Sequence, residues 1–395
     1  MMSNLLDYLG RAQELFVQDL TTNEDRIQEA TTGSSFLVVG GAGSIGRAVV
    51  KAIFERDPEK LHVVDLSENN LVELVRDLRS SDGYIRGDFK TFALDVGSLE
   101  FELMFLHEGP YDYVLNLSAL KHVRSERDPY SLMRMIRVNV LNTLKSMEML
   151  ERSGSRYFAV STDKATDPVN LMGATKLLME QVMFAHKKQL NVSSARFANV
   201  AFSDGSLLSS FSARLDKGQP IVAPTDIRRY FITAPEAGSL CLLAALLGED
   251  KEIFFPKPSE ELAPLGLDQL AMKFLEEREL EPRICDSEEE AREIARLGDL
   301  KKGWPCYFAA SDTTGEKELE EFFSQDDKLM MARYKDVGVI KARASDEKSI
   351  AFFLSRTAAL IERGRWSKDD LVQLINDALP NLNYEDLGYY LDQKM

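Results

Sequence analysis

The chain has 395 residues, more than one compact core usually holds, so two domains or one domain with a large appendage are expected. Hydrophobic residues make up 44% and charged residues 28%, the balance of a soluble globular protein, and a net charge of −16 argues against nucleic acid and anionic membrane as partners. Three scattered cysteines (Cys241, Cys285, Cys306) and four histidines without ligand spacing predict neither a disulfide framework nor a metal site.

The first 33 residues carry apolar positions at helical spacing (Leu5, Leu6, Leu9, then Leu15, Phe16, Leu20) and close on Thr31-Thr32-Gly33-Ser34, which predicts a helical arm. No charged stretch leads into an apolar run there, and the longest apolar runs are about half the ~20 residues a bilayer span needs; a soluble protein in a reducing, cytoplasmic setting is expected. Strands and helices then alternate. Phe36–Val39 reads as a buried strand, Ile45–Arg56 as a helix, Leu61–Asp65 as a second strand and Leu71–Leu78 as part of a second helix. Thr91–Asp95 and Asp112–Ser118 read as strands, Tyr130–Glu151 as a long helix, Arg156–Ser161 as a strand, Leu171–Lys188 as a helix and Val192–Ala198 as a sixth strand. Such alternation predicts an α/β fold, a doubly wound parallel Rossmann sheet that binds ligands at the carboxyl ends of its strands. Beyond residue 200 the regularity fades into a smaller C-terminal subdomain. Glu277–Asp299 is dense in charge and reads as helical, and Trp366–Met395 carries two amphipathic patches, with Ser367-Lys368-Asp369-Asp370 resembling a capped start. The expected division is an arm at 1–33, a dinucleotide domain at 34–200, a substrate subdomain at 201–345 and a helical extension at 346–395.

The first strand runs into Gly40-Gly41-Ala42-Gly43-Ser44-Ile45-Gly46. Glycines let the backbone turn tightly, approach a pyrophosphate and pack a helix on the sheet, and the helix N-terminus offers N–H groups to the phosphates. Asp65 ends the next strand, near the ~20-residue spacing of a ribose-binding acid. Its carboxylate accepts from ribose hydroxyls and repels a 2′-phosphate, and Leu66-Ser67 follows with no arginine, so NAD is the expected cofactor. Asp95-Val96 is placed to touch the adenine edge, or else caps the strand end. Further on, Ser161-Thr162-Asp163-Lys164-Ala165 puts a hydroxyl, a carboxylate and an amine in succession, ahead of Asn170-Leu171-Met172-Gly173-Ala174-Thr175-Lys176, whose second amine lies one helical turn past Met172.

With Asn116-Leu117-Ser118-Ala119-Leu120-Lys121-His122-Val123 and Val138-Asn139-Val140 added, the chain resembles the extended short-chain dehydrogenase/reductases, and more closely their UDP-N-acetylglucosamine 4,6-dehydratase (capsular polysaccharide) branch. Arg196-Phe197-Ala198-Asn199-Val200 and Arg229-Tyr230-Phe231-Ile232-Thr233 match its substrate region; the likeness is good over 34–240, loose over 240–345 and absent from the two terminal arms. The resemblance implies oxidation of a sugar at C4 by NAD, loss of the C5 proton and the C6 hydroxyl as water, and return of hydride to C6. It implies that Gly40, Gly43, Ser44, Ile45, Gly46, Asp65, Ser67, Asp95, Val96, Ser118, Ala119 and Lys176 hold the cofactor. Thr162 would bond the C4 oxygen, Asp163 would protonate the C6 hydroxyl, Lys164 would be the C5 base, and Lys176 would bind the nicotinamide ribose. Each has a plainer reading as well: a turn or cap for Asp163 and Thr162, an ion pair for Lys164, a surface lysine for Lys176. Lys121 and His122 are candidate sugar contacts or structural groups, and Asn199 and Arg229 match positions that hold the substrate diphosphate. Met172 stands where the wider superfamily carries the tyrosine that takes the C4 hydroxyl proton; a thioether cannot do so, and the sequence does not name the replacement. Ala201-Phe202-Ser203-Asp204 departs from the usual Leu-Gly-Ser-Arg. A 4-epimerase, or a non-catalytic NAD-binding regulatory protein, are the alternatives. The resemblance further implies a homodimer or larger homo-oligomer, paired through the helices Tyr130–Glu151 and Leu171–Lys188.

Overall fold

A computed structural model describes residues 5–150, 154–186, 190–298, 300, 302–343 and 345–388. The expected helix ends at Glu151, Lys188 and Asp299 and the last seven residues of the Trp366–Met395 stretch lie outside these.

Six parallel strands follow one another along the chain: β1 (Ser35–Val39), β2 (Lys60–Asp65), β3 (Asp88–Ala93), β4 (Tyr113–Asn116), β5 (Arg156–Thr162) and β6 (Asn191–Phe197). They lie in the order β3-β2-β1-β4-β5-β6. Phe36, Leu37, Val38 and Val39 are all buried, as a strand covered on both faces requires. Strand order reverses between β1 and β4, so the crevice that such sheets use for ligands opens above their carboxyl ends.

The sheet continues past β6. Glu252–Pro256 pairs parallel to β6, Val337–Lys341 pairs antiparallel to Glu252–Pro256, and Lys328–Met330 completes the edge. The central sheet thus draws strands from beyond residue 200, where the regular alternation ends in the sequence. Between β3 and β4 a helix forms at Leu99–Glu108, where the sequence suggested none. Glu277–Asp299 is not helical throughout: Pro282–Ile284 is a strand, and the helix Glu288–Leu297 starts only where the Ser287 hydroxyl accepts from the Glu290 amide. Proline has no amide to give a helix interior, which explains the break.

A smaller parallel sheet (Pro282–Ile284, Trp304–Ala309, Ile221–Pro224) packs with the helices Leu207–Asp216 and Leu267–Glu276 around Phe211, Phe274 and Cys306. The N-terminal arm is built into the molecule. The Tyr8 hydroxyl donates to the Leu270 carbonyl at 2.7 Å. Arg11 makes a buried bidentate pair with Glu236 at 2.6 and 2.8 Å, and the same carboxylate accepts the amides of Leu15 and Thr233.

The long helix predicted from Tyr130 is continuous but irregular: Pro129–Ile136, a π turn at Arg137–Leu141, then Asn142–Leu150. Together with Leu171–Ala185 it meets a C-terminal hairpin, Glu347–Arg363 and Lys368–Ala378. Leu132, Met135, Ile136, Leu178 and Val182 are buried with Ile350, Phe353, Leu371, Leu374 and Ile375 in one apolar cluster. Trp366 fastens the hairpin by donating to the Pro129 carbonyl at 2.9 Å, and Ser367 with Asp370 forms the expected cap. Apolar faces of the two helices through which the resemblance implies dimer pairing are therefore covered within the chain itself.

Candidate active site

The glycine loop leaves β1 with Gly40 at φ +74°, in the left-handed region, and a Cβ there would stand 2.7 Å from the Ser118 amide. A Cβ on Gly46 would lie 2.2 Å from the Gly40 carbonyl, so only glycine lets the helix Ser44–Phe54 begin this close to the turn. Asp65, at the end of β2, accepts the Ala42 amide at 3.0 Å and the Ser67 amide at 2.9 Å, which fixes its carboxylate beside the loop.

Above these elements lies a cavity of about 1100 Å³. Its wall includes Gly40, Gly43, Ser44, Ile45, Gly46, Asp65, Asp95, Val96, Ser118 and Ala119 from the expected cofactor set. Ser67 is not on that wall: its hydroxyl caps the helix Glu68–Ser81 by accepting the Asn70 amide. Asp95 lies two residues past the end of β3, and its carboxylate accepts the Gly97 amide. The Ser118 hydroxyl donates to Asn116 at 2.6 Å. A reciprocal bond that the sequence did not suggest joins the Ser44 hydroxyl to the carboxylate and amide of Asp204, both at 3.0 Å, and ties the cofactor loop to the segment after β6.

The chemistry-bearing residues sit at the end of β5 and on the helix that follows. Thr162, Lys164, Met172 and Lys176 line the cavity; Asp163 is buried behind them. One Asp163 oxygen accepts from the Thr162 hydroxyl at 2.8 Å, from the Lys164 amide at 2.8 Å and from the Lys164 ammonium at 3.3 Å. Burial alone would drive Lys164 toward the neutral amine. The carboxylates of Asp163 and Glu320, the latter 3.7 Å from Nζ, overcome it and raise the Lys164 pKa. The neutral amine that a base at this position requires is thus disfavoured in the resting site. Lys176 is the opposite case: buried without a carboxylate in contact, its pKa is pushed down to about 8 by desolvation, with only Glu180 opposing. Its Nζ donates to the Met179 sulfur at 3.4 Å.

Three supports hold the catalytic helix. Asn170 caps it by accepting the Gly173 amide and donates to the Gly315 carbonyl. Asn139, on the π turn, bridges the Leu120 backbone after β4 to the Thr175 hydroxyl. Glu126 is buried and accepts the Met172 amide at 2.7 Å; burial raises its pKa to about 7. Neither Glu126 nor Glu320 stood out in the sequence, because each lies in a run of charged residues that reads as surface.

On the substrate side, Lys121, His122, Asn199 and Arg229 all reach the cavity. Lys121 and His122 are exposed at its mouth, with the His122 ring packed over Gly205. Arg229 is buried and already occupied: it donates to the carbonyls of Arg228, Lys317 and Glu318 and to Glu316 at 2.9 Å. A phosphate at Arg229 would compete with Glu316. Among the described residues one group has metal-like spacing, His62, Asp88 and Glu108, and Lys90 already supplies its cation, at 3.2 Å from Asp88 and 2.7 Å from Glu108. No helix of the described residues is long and apolar enough to cross a membrane.

Residues 36–342 match the family described as polysaccharide biosynthesis protein. An uncharacterized membrane protein of Methanocaldococcus jannaschii is 33% identical over 61% of this chain and 72% of its own length. The capsular polysaccharide biosynthesis protein CapD of Staphylococcus aureus is 32% identical over 58% of this chain, which spans only 38% of that protein. A UDP-N-acetylglucosamine 4,6-dehydratase (inverting) of Campylobacter jejuni is 29% identical over 59% of this chain and 70% of its own. The X-ray structure of Pen from Bacillus thuringiensis shares the fold, with a TM-score of 0.65 at 21% identity over 80% of this chain and 90% of that one.

Proposed function

We propose that this chain, which belongs to the polysaccharide biosynthesis protein family, is a nucleotide-sugar 4,6-dehydratase acting on UDP-N-acetylglucosamine with NAD as a resident cofactor. The observation that carries the reading is the Thr162–Asp163–Lys164 turn set against Lys176 on the wall of the cavity that also holds the glycine loop. The loop fits a dinucleotide: Gly40 and Gly46 leave no room for a side chain, and Asp65 stands fixed beside them. NAD would supply hydride acceptance at sugar C4 and hydride return at C6.

The residues then divide the proton chemistry. Thr162 bonds the C4 oxygen from the cavity wall. Lys176, with its pKa near 8, exists in both charge forms close to neutrality and tunes removal of the C4 hydroxyl proton, a task Met172 cannot perform. Lys164 and Asp163 act as a pair sharing one proton. When substrate displaces water, the ammonium passes a proton to the carboxylate: an N–H bond breaks, an O–H bond forms, and the net charge of the pair is unchanged. Lys164 is then the amine that takes the C5 proton. Asp163 is the acid that protonates the leaving C6 hydroxyl; once it is protonated, the Thr162 hydroxyl that donates to it at 2.8 Å in the resting site is free for the C4 oxygen. One transfer creates both the base and the acid.

Mass spectrometry of the product from UDP-N-acetylglucosamine tests the reading. A dehydratase gives a product about 18 mass units lighter, by loss of water. A product of unchanged mass but altered C4 configuration makes the protein an epimerase, and bound cofactor without turnover makes it a binding protein; either result refutes the proposal.

A further inference from the structure

Glu320 has no place in the reaction as derived above, yet it is 2% exposed and, among the described residues, its Oε1 has no hydrogen-bond partner. That atom stands 3.7 Å from the Lys164 ammonium and 3.9 Å from the Arg229 guanidinium. The charges form an alternating row of Asp163, Lys164, Glu320, Arg229 and Glu316, with neighbours 3.3, 3.7, 3.9 and 2.9 Å apart. Lys317 donates to the Thr166 carbonyl at 3.0 Å and, with Lys164 and Arg229, acts to lower the Glu320 pKa. A buried carboxylate is costly unless its charge is used, and here Oε1 stands within 4.0 Å of two cations.

We propose that Glu320 is a positioning residue that keeps one proton on the Asp163–Lys164 pair until the elimination begins. The inference rests on the dehydratase reading. The pair is competent with a single shared proton: with two, Lys164 cannot act as base, and with none, Asp163 has no proton to give. Loss of that last proton is opposed most by the two carboxylates nearest Lys164. Asp163 is one and belongs to the pair; Glu320 is the other, and among the described residues the only one contributed by a different segment within 4.0 Å of Nζ. Glu316 and Arg229 also face Lys164 from further along the row, with opposite signs. Burial and the Asp163 charge raise the Glu320 pKa, while Lys164 and Arg229 lower it, so its charge grows as the pH rises toward the range where the pair would lose its proton.

The test is the pH dependence of water loss at saturating UDP-N-acetylglucosamine in the full-length, NAD-loaded enzyme. In Glu320→Gln, which keeps size and removes charge, the Lys164 ammonium is less stabilised. The high-pH limb should move down by about one unit, so that at the wild-type midpoint, where the wild type keeps about half its maximum, the variant is about tenfold below its own plateau. Glu320→Asp, which keeps the charge, should hold the wild-type limb. Fluorescence of bound NADH reports that each variant is folded; if Glu320→Gln fails to fold, Glu320→Met is read in the same way. A limb that stays in place or moves up in a folded, active Glu320→Gln enzyme overturns the role of Glu320 while leaving the dehydratase standing. Absence of water loss in the wild type overturns both.

Discussion

Replacing Lys176 by Met should make the cofactor-free protein more stable while removing its activity. Methionine is one atom shorter than lysine, replaces its unbranched stem and carries no charge to desolvate. In the native state the Lys176 pKa is about 8, against about 10.4 in the unfolded chain, a depression of about 2.4 units. At 1.36 kcal/mol per unit this is about 3 kcal/mol of stability lost wherever both states are protonated, that is, below pH 8. As the pH rises from 8 to 10.4 the native protein releases this proton first. The unfolded state then binds more protons, and stability attributable to this site rises until the penalty is gone. Urea unfolding of wild type and Lys176→Met at pH 7 and pH 10 measures it. The variant should be more stable by about 3 kcal/mol at pH 7, and the difference should shrink to about 0.7 kcal/mol at pH 10. No gain at pH 7, or a gain that is the same at both pH values, would refute the reasoning, because the lysine would then not be held against its charge.

The same site makes two further predictions. Lys164→Ala should allow oxidation at C4 and stall afterwards, so that enzyme-bound NADH accumulates in a stopped-flow trace; exchange of the C5 proton with deuterated water should fall by about 10²–10⁴-fold, the contribution of a positioned base, and exchange at the wild-type rate would remove Lys164 from that role. Asp65→Ala should relax the preference for NAD over NADP, seen in the cofactor released by heat, and a wild-type preparation carrying chiefly NADP would contradict the role given to Asp65.

Where local pattern and tertiary role coincide, the sequence was a good guide. Phe36–Val39 is apolar at every position because both faces of β1 are covered, and the glycine loop follows because the chain must turn there beside Ser118. The helix Leu99–Glu108 escaped notice because its apolar residues are spread around the axis: Phe101 and Met104 are buried while Leu99, Leu103 and Leu106 are exposed, which blurs the helical period. Glu252–Pro256 and Val337–Lys341 are short apolar runs some eighty residues apart, and nothing local shows that they pair with each other and extend the sheet from β6. The site was legible as a set of side-chain types in motif order, but not as charges. The Lys164 pKa is raised by Asp163 first and then by Glu320, which is brought in from more than 150 positions away. Likewise Ser67 is a helix cap and not part of the wall, a distinction set by the direction of one hydroxyl.

The C-terminal hairpin bears on assembly, and one substitution separates two views of it. Leu374 is 3% exposed, in the seam between the helix Lys368–Ala378 and the helices Pro129–Ile136 and Leu171–Ala185. If the hairpin covers the catalytic helix within one chain, Leu374→Asp buries an unpaired carboxylate in that seam and loosens the fold locally. The expected cost is several kcal/mol, as for other unpaired buried charges. Because Glu126 and Met172 adjoin the seam, cofactor retention and thermal stability should fall together. The number of subunits measured by light scattering at micromolar concentration should remain that of the wild type, since no contact between chains has been touched. A wild-type oligomer that dissociates on Leu374→Asp would refute this, because the seam would then be an interface between copies and the hairpin would be reaching across it.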